Sequence, residues 1–244
     1  MTGSDDLDMD TILAIVEASH ADEVPVANEG LRERKKRRLR HQISDVATAM
    51  FMVHGFDEVT VAQIAAACEV SEQTVYNHFP TKESMLLDRS ESRISDMADA
   101  VRERGSLPLV DAVVGMLNPG PPPAKAPADA DQLLVFRRFC DVVTGSTTLA
   151  AARLADFAQF ADGVSVALAQ RVGADPSDPE VRITALVIAG LVHVRQQANF
   201  TYVQSATSLE ALGDMVRSDL LRAAKLAEPT LTAFDKLPGE ASHG

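Results

Sequence analysis

Tryptophan is absent from this 244-residue chain, and tyrosine and cysteine each occur twice. So few aromatics leave Ala, Leu and Val to fill the core, a composition that favours helices over β-sandwiches. Two thiols, Cys68 and Cys140, make no disulfide framework. Both fall in segments that read as helical, and reduced, partly buried thiols are expected. No basic start runs into a long apolar stretch, so no signal peptide is expected. The longest apolar stretch, residues 185–192, is far too short to span a bilayer. A cytoplasmic protein without a membrane partner is the expectation. Also missing are a nucleophile elbow, a P-loop, a dinucleotide fingerprint and any zinc spacing. The six histidines are scattered and form no ligand cluster. His20 and Asp22 lie in a stretch where no catalytic geometry would be held. No enzyme, metal or cofactor is expected.

Positive charge is missing from the first 30 residues, which hold eight acidic side chains and no Lys or Arg. Residues 31–40, LRERKKRRLR, then carry seven basic residues and one acidic. The net charge of −12 is therefore uneven. A basic patch on an acidic body localises contact with a polyanion even when the total charge repels it.

The element pattern is all-α. Residues 9–20 carry apolar side chains at 9, 12, 13, 15 and 16, before Pro25 and Gly30 interrupt. Two readings stay open there: a flexible acidic arm, or a helix packing on the body. A helix is expected over 33–53, with Leu39, Ile43, Val46, Ala47, Met50 and Phe51 on one face and Gly55 at its end. Thr60 and Gln63 form a capping box for a short helix over 61–67. Ser71 caps the next, to His78. A long helix is expected from Lys82 to about Glu103, then one over 107–117. The proline-rich segment 118–130 cannot be a regular helix. Further helices are expected over 131–143, 148–172, 179–202 and 208–227, with an irregular tail over 228–244. The expected parts are an acidic arm (1–30), a DNA-reading domain (31–80), a helical body (81–227) and the tail.

The short helices 61–67 and 71–78, joined by CEVS, have the length of a helix-turn-helix. In that geometry the second helix enters the major groove, where all four base pairs are distinguishable. Val70, Val75 and Phe79 can face inward. Gln73, Thr74 and Asn77 are the side chains for base edges. Thr60, Ser71, Tyr76, His78 and Lys82 suit phosphate oxygens. The basic run, with Arg37 and Arg38, adds backbone contacts beside them. The plain alternative is a solvated helical hairpin, with Tyr76 and His78 a surface pair and Arg37 and Arg38 a solvated face.

Residues 39–86 resemble the DNA-binding domain of the TetR family of bacterial transcriptional regulators. The likeness rests on Ile43, Ala47, Phe51, Gly55, Phe56, Val59, Thr60, Val61, Ile64, Ala65, Val70, Ser71, Thr74, Val75, Tyr76, His78, Phe79, Lys82, Glu83 and Leu86. It implies that Thr60, Tyr76, His78 and Lys82 face phosphates and that Gln73, Thr74 and Asn77 lie where the family reads bases or varies. It also implies an all-α protein with a ligand-binding and dimerisation domain after the helix-turn-helix. One departure is the turn, Cys68-Glu69-Val70 where the family usually has Ala-Gly-Val. If Glu69 takes the conformation glycine favours, it carries about 1 kcal/mol of strain. A second is the long acidic start, which could fold over the basic run and compete with DNA.

The resemblance further implies a homodimer held by long helices near the C-terminus, here 148–172 and 179–202. It implies repression at an inverted-repeat operator, relieved by a small-molecule effector inside the body. Met97, Val113, Met116, Phe136, Phe139, Cys140, Phe157 and Phe160 are candidate lining residues, though each also reads as plain core. They suit an apolar or aromatic effector. His193 and Arg195 stand out in an apolar segment and could meet the effector or the partner subunit. A helical interaction protein that has lost DNA binding is the alternative to a regulator.

Overall fold

In the computed structural model, residues 8–18, 30–87, 90–118 and 129–237 are described. Among them are eleven helices and no strand. They group by contact into two units, Met1–Asp88 with Pro123–Ala150, and Arg89–Pro122 with Ala151–Gly244.

The first unit is organised by α2 (Leu31–His54). Ile43, Ala47 and Phe51 on α2 are fully buried, as are Ile64, Val75, Phe79 and Met85 from the segment after it. The Phe51 and Phe56 rings meet at 4.9 Å. Gly55, at φ 89°, ends α2 with its N–H on the Phe51 carbonyl, a backbone conformation that side-chain-bearing residues resist. Behind it come α3 (Val61–Ala67), α4 (Glu72–His78) and α5 (Lys82–Leu86).

A second face of α2 is also buried. Ala49 and Met52 form a cluster with Ile12 of α1 (Met9–Ala18) and Val135 of α8 (Asp129–Gly145). Ile12 is 1% exposed. Asp8 accepts the Thr11 N–H at 2.8 Å and so caps α1. Of the two readings open for this stretch, residues 9–18 follow the packed helix. The remainder of the acidic start, 1–7 and 19–29, lies outside the described residues, as does 119–128 of the proline-rich segment.

The second unit contains α6 (Ser90–Glu103), α7 (Leu109–Leu117), nearly all of α9 (Thr147–Val172), α10 (Pro179–Tyr202) and α11 (Leu209–Asp235). Its core gathers Met97, Val113, Phe160, Leu168, Ile188 and Leu220. A Cβ at Gly163 would lie 2.5 Å from Ile94 Cγ2, so α9 and α6 approach there as only glycine allows.

Two expectations need correction. The helix expected over 82–103 is two helices, because α5 ends at Leu87 with φ −102° and ψ 20°. The tail expected after 227 is helical to Asp235, through Pro229. That proline removes one N–H from the ladder, but three anchors carry the helix past it. Leu231 is 0% and Phe234 2% exposed. Asp235 takes the Arg104 guanidinium at 2.6 Å and the Leu109 N–H at 3.0 Å, capping α7.

Candidate nucleic-acid interface

The α3–turn–α4 segment is built from local caps. Thr60 Oγ1 accepts the Gln63 N–H at 3.3 Å, while Gln63 Oε1 accepts the Thr60 N–H at 2.8 Å. At the other end of α3 the Val70 N–H reaches the Ala65 carbonyl at 2.9 Å and the Glu69 N–H reaches Ala66 at 3.2 Å. Those two bonds are a Schellman closure, and its penultimate residue must be left-handed. Glu69 has φ 57°, the one positive φ of a non-glycine among the described residues. The expected strain is therefore present, at about 1 kcal/mol.

Ser71 caps α4 by accepting the Thr74 N–H at 3.1 Å, and its hydroxyl also lies 2.8 Å from that of Thr74. Val75 and Phe79 fasten α4 to the core. On the outer side Gln73 Nε2 donates to Asn77 Oδ1 at 3.1 Å, one helical turn on. Tyr76 is 47% exposed. Of the three expected base-reading residues, Gln73 and Asn77 are exposed and paired, while half-buried Thr74 is engaged with Ser71.

The expected phosphate-facing residues fall into two groups. Thr60 and Ser71 are exposed at helix starts and Tyr76 is exposed in the last turn of α4, while Arg38 is exposed on α2, with Arg37 half-buried. His78 and Lys82 are held inward. The His78 carbonyl accepts the Arg40 guanidinium, which stacks 4.3 Å from the centre of the Phe79 ring. His78 Nδ1 is buried without a hydrogen-bond partner. Burial, then the charges of Arg40 and Lys36, lower the imidazole pKa and favour the neutral ring. Lys82 Nζ donates to the carbonyls of Phe56, at 2.8 Å, and Val59, at 3.1 Å. It also sits 4.2 Å from the Phe56 ring centre. Its ammonium ties the start of α5 to the α2–α3 turn. Arg40 was not singled out from the sequence, since one arginine in a basic run carries no sign of its partner.

Cys68 is buried at the end of α3, and that burial pushes its thiol up to about 11, which favours the protonated thiol at neutral pH. Among the described residues no group of His, Cys, Asp and Glu could hold a metal, and no helix is long and apolar enough to cross a membrane.

The candidate effector-lining residues divide. Phe136, Phe139 and buried Cys140 belong to α8 in the first unit, with the two rings stacked at 6.2 Å. Met97 and Phe160 are buried in the core of the second unit, with Val113, and Met116 and Phe157 pack against that core. Exposed His193 meets the Phe157 ring edge-on at 5.9 Å. A cavity of about 10 Å³ lies beside Phe157, Phe160 and His193, room for about one water.

Residues 43–88 match the family described as bacterial regulatory proteins, tetR family. The chain is 45% identical over 58 residues to the HTH-type transcriptional regulator TcmR of Streptomyces glaucescens, covering 24% of this chain and 26% of that one. It is 32% identical over 78 residues to the HTH-type transcriptional repressor AcnR of Corynebacterium glutamicum, covering 32% and 40%. The matched stretch thus spans between about a quarter and two-fifths of these relatives' length. A solved tetR-family transcriptional regulator from Streptomyces coelicolor shares 18% identity over 84% of this chain and 88% of its own, with a TM-score of 0.31, too loose a likeness to describe the body.

Proposed function

We propose, from the premise that residues 43–88 are the DNA-binding segment of a TetR-family regulator, that the protein is a sequence-specific repressor of transcription. It acts as a homodimer on an inverted-repeat operator and responds to a small-molecule effector. The observation that carries this reading is the α3–turn–α4 unit, capped at both helix starts and closed at Glu69, with Gln73 and Asn77 exposed on α4.

In a helix-turn-helix, α4 lies in the major groove and its N-terminal residues meet base edges. The Gln73–Asn77 pair leaves Asn77 Nδ2 as a donor and Gln73 Oε1 as an acceptor. Adenine presents the matching acceptor N7 and donor N6. Thr60, Ser71 and Tyr76 hold phosphates beside the groove, and Arg37 and Arg38 add charge along the flank. One such module touches few bases, so two-fold pairing supplies the second half-site. Ile183 and Leu186 on α10, 51% and 41% exposed, and Leu154 on α9, 71% exposed, support these helices as the dimer contact. Repression follows the named activity of the AcnR relative.

The test is selection of bound duplexes from a random pool at about 100 mM salt, with Gln73→Ala and Tyr76→Phe beside the unaltered protein. An inverted repeat is expected. Gln73→Ala relaxes preference at one position of each half-site, whereas Tyr76→Phe weakens binding to all sequences alike. Absence of any enriched sequence would leave a helical interaction protein as the better description.

A further inference from the structure

With seven residues, α4 is too short to hold its own direction. Its exposed Gln73 and Asn77 lie on either side of the buried Val75, two residues before it and two after. Tilting α4 about Val75 moves one of them toward a groove and the other away. A recognition contact tolerates a misplacement of only about 0.5 Å. What fixes the two ends of α4 therefore decides what it can read.

The first end is closed locally, by Ser71 accepting the Thr74 N–H. The last end has no such closure. Phe79 leaves the helix in an extended conformation, φ −134° and ψ 109°, with its N–H on the Val75 carbonyl. The remaining carbonyls of the last turn must find donors elsewhere. The His78 carbonyl finds the Arg40 guanidinium, 38 residues earlier in the chain. Arg40 stands three residues before Ile43 and seven before Ala47, so it opens the buried face of α2. Its guanidinium lies 4.3 Å from the centre of the fully buried Phe79 ring. A planar guanidinium can stack on a ring and donate from its edge at once. A cation at a helix C-terminus also meets the favourable end of the helix dipole.

We infer that Arg40 is a positioning residue, which fixes the C-terminal end of α4 and so sets which bases Gln73 and Asn77 meet. The inference rests on α4 being the helix that reads DNA. The charge of Arg40 is committed to α4 rather than to phosphate, unlike that of the exposed Arg38 two residues before it.

The experiment uses the full chain, with Arg40→Met, Arg40→Lys and Arg38→Gln beside the unaltered protein. Arg40→Met keeps an unbranched chain against the Phe79 ring and removes the charge and the donor. Affinity is measured across a salt series for the selected operator and for a scrambled duplex of the same composition. Arg40→Met lowers the ratio of the two affinities by roughly ten- to a hundredfold. It leaves the salt slope for the scrambled duplex unchanged. Arg38→Gln does the opposite, keeping the ratio and flattening the slope by about 0.9. Loss of folded protein would lower both affinities alike. Arg40→Lys keeps the charge without the planar fork; it is read in place of Arg40→Met if that variant does not fold, and lowers the ratio by about threefold or more. An unchanged ratio in the variant read, or a flatter slope in Arg40→Met, overturns the assignment. Where no operator is selected, hydrogen exchange of the free protein decides instead. The amides of Asn77, His78 and Phe79 then exchange about tenfold faster or more in the variant, and those of α3 at their former rate. That pattern keeps the anchoring of α4 and removes the DNA reading, and unchanged exchange removes both. A selected operator with an unchanged ratio keeps the DNA reading and removes the role of Arg40.

Discussion

Lys82 shows how one side chain can read two ways. By position it suits a phosphate; in the structure its ammonium is committed to the Phe56 and Val59 carbonyls. The two roles separate by salt dependence. Removing a phosphate contact flattens the plot of log affinity against log salt by about 0.9. We expect Lys82→Ala to leave that slope unchanged while lowering the stability of the protein by about 1–2 kcal/mol. Measuring operator affinity across a salt series and unfolding by urea checks both; a flatter slope at unchanged stability would make Lys82 a phosphate ligand. Glu69 is a local matter by contrast. Its left-handed backbone closes α3 whatever the side chain, so its cost was legible from the sequence, as were the caps at Thr60 and Ser71. Each of those features joins residues no more than five apart. The partners of Lys82 lie 26 and 23 residues away, and nothing in the local pattern points to them.

At the scale of elements, the limits of α3, α4 and α10 follow from caps, turns and periodicity. The end of α11 does not, because distant packing decides it. Pro229 argues for a stop, yet the burial of Leu231 and Phe234 and the Arg104–Asp235 pair prolong the helix. The Arg93–Asp156 pair was illegible for a related reason: it joins α6 to α9 and forms only through packing. Residues 9–18 were ambiguous because five apolar positions in a short acidic stretch are compatible with a free arm. The buried Ile12 decides in favour of a docked helix. Truncating it removes about 2 kcal/mol or more of packing. We expect Ile12→Ala to speed hydrogen exchange of α1 amides by a factor of about thirty or more, with α4 amides unaffected. Equal acceleration in α4 would mean that α1 supports the whole unit.

For the molecule as a whole, the charge pattern is the governing quantity. A net charge of −12 with seven basic residues at 31–40 makes operator binding sensitive to anything that competes for that run. The acidic start remains a proposed competitor. Deleting it would also remove Ile12 and the Asp8 cap, so neutralising charge is the cleaner intervention. We expect Asp22→Asn, Glu23→Gln and Glu29→Gln together to raise operator affinity severalfold at about 50 mM salt, the gain fading by about 300 mM. An unchanged affinity at the lower salt would remove the acidic start as a competitor.

The cluster beneath α2 joins Ile12 to Val135, and Asp235 caps α7 from near the far end of the chain. During synthesis these parts become available in order, at about 5–20 residues each second. The caps of α3 and α4 close on nearby residues, and the α2 core they pack on precedes them in the chain, so this hairpin can form first. The packing of α8 on α2 waits until about residue 145 has emerged, and the cap on α7 waits for Asp235. A nascent chain therefore acquires the hairpin proposed to read DNA well before the body proposed to control it.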